Sequence, residues 1–255
     1  MDVRPSCFGK EVIYKAVCSS TNTLALQLLY TNTSKVPEGT VVITDHQYKG
    51  RGQRGNVWTS EPYKNLTLSL IIRPTFLALQ ESFVLNIITA LAIEQVLASY
   101  IPSSLAIKWP NDIYYHDQKL GGILIENLVV GRSISATVIG IGLNVNQTSF
   151  ASLKPTSLAL VCKRTFDLNS LLASLLDVLE TNYIQLKEQG IASLQEAYLE
   201  KLYWIHEPHT FQDQTQTFQG IIRGIDAIGR LMVEQTAEGR GIIKHYGCQE
   251  IAFIA

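Results

Sequence analysis

Only four cysteines occur in 255 residues, Cys7, Cys18, Cys162 and Cys248, and none forms a CxxC pair or has a histidine at ligand spacing. That pattern argues against a disulfide framework and the common zinc sites, and it suits thiols in a reducing compartment. Positive charge is not in excess either, since 21 Lys and Arg against 22 Asp and Glu give a formal net charge of -1. A chain so balanced has no overall field to hold a polyanion by its phosphates, so no DNA partner is expected. No apolar run approaches the roughly 18 residues of a membrane span, and the opening MDVRPSCFGKEV contains no stretch of signal-peptide length. The expectation is a cytoplasmic protein with no membrane partner. Internal repeats and low-complexity segments are also missing. What is present is a 46% hydrophobic composition, enough for one large domain and one small one.

From Glu11 to Thr165 short β-rich runs alternate with two helical segments, which predicts an α/β domain on a mixed sheet. Ser19 to Tyr30 opens with hydroxyl residues able to cap a helix. Thr40 to Thr44 and Leu66 to Ile72 read as strands around a polar, glycine-containing loop. Phe83, Ile87, Leu91 and Val96 recur at helical spacing between Ser82 and Tyr100. Ala106 to Trp109, Gly122 to Ile125 and Ala136 to Val145 supply three further strands, parted by NDIYYHDQK and NLVVGRS. A leucine stripe from Leu168 to Tyr183 marks a second helical region and is assigned to the core. After Trp204 and Pro208 the composition turns to Thr, Gln and Gly with short alternating runs and a turn near Asp226 to Gly229. The division expected is residues 1–205 for the large domain and 206–255 for a small β module docked on it.

Four segments carry chemistry. GRGQRGNVW, Gly50 to Trp58, lies between two strands. Its glycines do not open a helix and no GK[ST] ending follows, so neither a dinucleotide fingerprint nor a P-loop is present. Arg51, Arg54 and the backbone N–H groups suit the enclosure of an anion, and a plain glycine-rich hairpin satisfies the same residues. KWPND, Lys108 to Asp112, places a cation and a carboxylate at a strand end, either for phosphate and Mg²⁺ handling or as a surface salt bridge. KLGGILIE, Lys119 to Glu126, opens a strand with paired glycines that permit close approach of a ligand or another backbone. GIGLNVN, Gly140 to Asn146, ends in amides able to read a base or carbonyl edge, or to make a β-turn.

In this order, with the SSTN stretch Ser19 to Asn22 and Gln47 ahead of the glycine loop, these segments resemble the catalytic domain of biotin protein ligases. The run GIDAIGRLMV, Gly224 to Val233, is similar to that family's SH3-like C-terminal module, so the resemblance covers nearly the whole chain. Lipoate ligases share the domain class with signatures that match less well. The resemblance implies an α/β (α+β) fold, a mixed-sheet catalytic domain followed by a small SH3-like β-barrel. It implies an enzyme that makes biotinyl-5′-AMP from biotin and ATP with Mg²⁺, then biotinylates a lysine of a carboxylase's biotin carrier domain.

By the same resemblance, Lys108, Asp112, Lys119 and Arg51 are the catalytic residues, with Asp112 holding Mg²⁺. Ser20, Thr21, Asn22, Gln47, Arg51, Gly52, Gln53, Lys119 and Gly121 are expected to bind biotin. Arg54, Trp58, Asn111 and Asn144 are expected at the nucleotide, with Trp58 stacked on adenine or, alternatively, anchored in the core. The glycine-rich loop Lys49 to Trp58 is expected to be mobile without ligand and to become ordered when biotin or the adenylate binds. One departure stands out, because the family loop commonly carries arginine where this chain has Gln53. Some relatives also carry an N-terminal winged helix-turn-helix, for which Ser19 to Asn22 lies too near the start, so a repressor is not expected. A ligand-binding module without chemistry is the remaining alternative class.

Overall fold

The structure, a computed structural model, describes residues 7–32, 35–152, 154–237 and 240–254. The first part of the chain forms β1 (Val12–Cys18), α1 (Thr21–Asn32), β2 (Val41–Gln47), β3 (Leu66–Ile72), α2 (Val84–Ala98), β4 (Leu105–Lys108), β5 (Asp112–Tyr115), β6 (Gln118–Val130) and β7 (Ser133–Leu143). Three helices follow, α3 (Leu158–Cys162), α4 (Leu168–Gln189) and α5 (Ala192–Glu200). The strands make one seven-stranded sheet in the order β1-β2-β3-β7-β6-β5-β4. Only β1 and β2 are parallel, so the sheet is mixed as expected.

Alternation along β3 shows how the sheet divides space. Leu66, Leu68, Leu70 and Ile72 face the large core with α2 and α4, while Ile71 joins Val42, Val138 and the Ala25 and Leu29 side chains of α1 on the other face. Thr67 and Ser69 share the α1 face, beyond the part that α1's apolar side chains cover. The cleft described below opens there.

The packed helix expected between Ser82 and Tyr100 is α2, and it is buried on more than one side. Leu85, Ile88, Leu91, Ile93 and Leu97 are all buried, because the sheet packs on one side and α4 and α5 on the other. Contrary to the expectation above, Leu79–Ala98 is apolar and long enough for a membrane span, and most of it is buried inside the protein. The leucine stripe does form α4, with Leu171, Leu175, Leu179 and Tyr183 buried and Asp167 capping its start by accepting from Ser170 N at 2.8 Å. NDIYYHDQK, read as a separator, contains β5.

The C-terminal β module comprises β8 (Pro208–Asp213), β9 (Thr217–Ile225), β10 (Leu231–Ala237), β11 (Arg240–Tyr246) and β12 (Ile251–Ile254), in the antiparallel order β11-β10-β9-β8-β12. Its Phe211, Ile222, Leu231 and Val233 are fully buried and belong to the same core as α2 and α4. The β9–β10 turn falls at the expected place and is held by Asp226. That carboxylate accepts from Ile228 N and Arg230 N and pairs with Arg230 at 2.7 Å and His245 at 2.9 Å. Burial pushes its pKa up, but His245, Arg230 and the backbone N–H groups outweigh that and hold it at about 2. Asp226→Asn should therefore lower stability by about 1 kcal/mol at neutral pH. A carboxyl depressed on folding stabilises the protein above its unfolded pKa of about 3.9 and loses that contribution as pH falls through its folded value. Urea unfolding curves of the two proteins should converge between about pH 4 and pH 2.

Candidate active site

A cleft of about 460 Å³ opens on the α1 face of the first sheet. Its floor follows from register: Thr67 pairs with Gly142, Gly142 with Gly122, and Gly122 with Asp112, so one row across four strands carries two glycines. The next row runs Ser69, Gly140, Leu124. Small residues at alternate positions leave the room, and the segments GIGLNVN and KLGGILIE supply them.

The SSTN stretch enters above this floor at the start of α1, where Ser20, Thr21 and Asn22 are buried. Asn22 lies so close to Gly140 that a β-carbon there would sit 2.2 Å from its Oδ1. Ser69 Oγ donates to that Oδ1 at 2.6 Å, and Asn22 Nδ2 donates to Glu126 Oε2 at 2.8 Å and Leu124 O at 3.1 Å. Gln47 Oε1 accepts from Thr21 N at 3.3 Å, which ties β2 to the same corner. Glu126 was not singled out from the sequence. Its other oxygen meets Arg51 Nη2 at 2.5 Å, so one carboxylate orients both a cleft amide and a cleft cation.

The glycine loop forms a compact hairpin. Arg51 bridges to Val57, Gly52 N donates to Asn56 O at 2.8 Å, and residues Gln53–Gly55 make a single 3-10 turn. Arg51, Gly52, Gln53 and Trp58 all line the cleft. Of Arg54 the structure describes the backbone alone, so its side chain lies outside the described residues. Trp58 lies on Gly142, where a β-carbon would sit 2.4 Å from the indole, and its Nε1 is buried with no hydrogen-bond partner among the described residues. Gly142→Ala should displace the ring, red-shift the tryptophan emission and cost about 1–3 kcal/mol of stability. Unchanged emission would mean that Trp58 is not seated there.

Asp112 and Lys119 meet beneath the indole. Their side chains are 2.6 Å apart, 20% and 32% exposed, and the Lys119 ammonium lies 5.6 Å from the Trp58 ring centre. Burial pushes the Asp112 carboxyl up, while Lys119 and Lys108 pull it down. Asn111 lines the cleft beside them and donates to Ile123 O at 2.7 Å. The pair is a cation and a carboxylate in a partly closed cleft, an arrangement suited to neutralising an anion and exchanging a proton.

Three expected residues are placed differently. Lys108 follows Asp112 in the cross-strand row, but its ammonium lies among aromatic rings and not in the cleft lining. Asn144 is buried and donates to Thr156 O at 3.0 Å and Lys119 O at 3.5 Å, so it braces the strand that carries Lys119. Gly121 faces Gly142 O and Leu143, and Gly122 takes its place in the cleft. Cys248 and Gln249 of the C-terminal module also line the cleft, although nothing in their local sequence signals it.

The family pattern of biotin/lipoate A/B protein ligases matches residues 14–144. The bifunctional ligase/repressor BirA of Bacillus subtilis is 32% identical over 242 residues, covering 93% of this chain and 73% of that protein. The biotin–[acetyl-CoA-carboxylase] ligase of Paracoccus denitrificans is 31% identical over 210 residues, covering 79% of this chain and 86% of that one. The Aquifex aeolicus biotin protein ligase in complex with biotin and ATP shares the fold, with a TM-score of 0.77 at 24% identity over 95% of this chain and 98% of that one.

Proposed function

Since the chain belongs to the biotin/lipoate A/B protein ligase family, we propose that its cleft joins biotin to ATP as biotinyl-5′-adenylate and passes the biotinyl group to a lysine of a carrier protein. The protein is an ATP-dependent biotin protein ligase. The observation that carries the reading at the residue level is the Asp112–Lys119 pair beneath Trp58, on a floor of glycines and opposite the SSTN corner.

Adenylation brings biotin's carboxylate against the α-phosphate of ATP. Two like charges 4 Å apart repel by about 1 kcal/mol in water and about 4 at an effective dielectric near 20, so a half-closed cleft needs cations. Lys119 and Arg51 would supply them from the protein, and positioning with charge neutralisation suffices without a protein nucleophile. Ser20, Thr21, Asn22 and Gln47 would hydrogen bond the ureido ring, with Leu124 on the same face of the sheet as an apolar contact. Trp58 would stack on adenine, with Asn111 beside it. Magnesium needs only one or two carboxylates besides phosphate oxygens and water, so Asp112 would be the residue to hold it, and it would supply further neutralisation of phosphate charge.

In the second step the carrier lysine's amine attacks the acyl carbon. A C–N bond forms, the bond to AMP breaks, and the amine proton needs an acceptor, for which Asp112 is the available carboxylate. The carrier we assign is the biotin-carrying domain of a carboxylase, and the compartment is the cytoplasm, where balanced charge and scattered thiols are at home. Pyrophosphate exchange into ATP should require biotin. Exchange without biotin, or with lipoate instead, would reject the reading.

A further inference from the structure

Lys108 ends β4 and pairs with Asp112, so both side chains leave the same face of the sheet. Their ends part, however. The Lys108 ammonium lies 4.6 Å from the ring centre of Tyr114, 5.0 Å from Phe253, 5.3 Å from Tyr203 and 6.0 Å from Trp204. The ammonium also donates to Tyr114 Oη at 3.5 Å, and a cation this near to aromatic rings is attracted to them more strongly where water is displaced. Burial pulls the Lys108 pKa down and Asp112 opposes it, as expected of an ammonium held between a carboxylate and a ring box.

The rings come from distant parts of the chain. Tyr114 belongs to β5, Tyr203 and Trp204 to the segment after α5, and Phe253 to β12 at the end of the C-terminal module. They also pack on one another, with ring centres 5.4 Å apart for Tyr114 and Tyr203, 4.7 Å for Tyr203 and Trp204, and 5.5 Å for Trp204 and Phe253. One cation therefore sits where the first sheet, the connecting segment and the module meet. Immediately before β12 comes the turn that places Cys248 and Gln249 in the cleft with Asp112.

We propose that Lys108 is a positioning residue, which clamps Phe253 and the other three rings around its ammonium and so holds the Cys248–Gln249 turn against the cleft. It acts through the module and not on the phosphates. The activity arm of its test rests on the ligase reading above. The structural arm does not.

Lys108→Met and Phe253→Leu break the clamp from opposite sides, and only the first removes a charge. Amide hydrogen exchange at Cys248, Gln249 and Glu250 should quicken about tenfold in both, and the double variant should be no faster than either. Lys108→Arg, which keeps a cation able to stack, should recover most of the protection. Biotin-dependent pyrophosphate exchange should fall by a similar factor in the two single variants. Unchanged hydrogen exchange at the turn in folded Lys108→Met and Phe253→Leu would overturn the proposal. So would loss of pyrophosphate exchange in Lys108→Met alone, because that is the signature of a cation acting on phosphate. Should the wild-type protein lack pyrophosphate exchange, the ligase reading fails while the hydrogen-exchange comparison still decides the clamp.

Discussion

Lys119→Ala should lower biotin-dependent pyrophosphate exchange about 10²- to 10³-fold, the range found when a charge-stabilising group is removed from an active site. Several observations converge on this residue. Its ammonium lies 2.6 Å from Asp112 and 5.6 Å from the Trp58 ring centre, a cation at the cleft where the proposed reaction brings two anions together. Its backbone is fixed as well, with N donating to Lys154 O at 2.8 Å, O accepting from Thr156 N at 2.9 Å, and Asn144 reaching the same carbonyl. The backbone that carries the cation is therefore fixed. Removing the cation also strands a mostly buried carboxylate, which would itself destabilise the fold. Measuring exchange well below the melting temperature of Lys119→Ala separates the two effects, because a folded variant that still lacks exchange has lost the charge and not the fold. Exchange at the wild-type rate in Lys119→Ala would remove Lys119 from the chemistry.

Which parts of this site could be read from sequence depended on whether a residue's partner is near it in the chain. The mixed sheet, the leucine helix and the Asp226 turn announce themselves through local periodicity and turn chemistry. β1 does not, because it is an edge strand whose Val12, Tyr14 and Val17 are exposed, leaving little alternation to detect. β5 has only four residues, and its polar flanks hide it. The motif glycines were legible as sites of close approach, but not what approaches: Asn22 is 118 positions from Gly140 and Trp58 is 84 from Gly142. Likewise Lys108 and Asp112 look equivalent at the end of one apolar run. The aromatic box separates them, and Phe253, 145 positions away, supplies one of its walls.

Arg51→Ala should release biotinyl-adenylate about ten- to a hundredfold faster than wild type, while Gln53→Ala stays within about threefold. Charge is the ground for the difference, since losing a charge-assisted bond to an anion costs about 1.5 to 3 kcal/mol and a neutral amide offers only an ordinary hydrogen bond. The Arg51 guanidinium is 44% exposed and held on Glu126 at 2.5 Å, close to Thr23 Oγ1 at 3.4 Å. It is thus presented at the cleft edge by an acid already committed to Asn22 at 2.8 Å. An arriving phosphate need only compete for a half-exposed guanidinium, without ordering a free side chain. Gln53 lines the same cleft from the 3-10 turn, where the family commonly has arginine, so retention in this chain should fall on Arg51, Lys119 and Arg54, whose side chain lies outside the described residues. Glu126→Gln provides the complementary case. It weakens the hold on Arg51 while keeping a hydrogen-bonding amide near Asn22, so adenylate should escape at an intermediate rate. Each rate can be followed by preforming the adenylate, removing free substrates and measuring the labelling of lysines on a bystander protein. Faster escape from Gln53→Ala than from Arg51→Ala would show that the amide, not the charge, closes the loop over the intermediate.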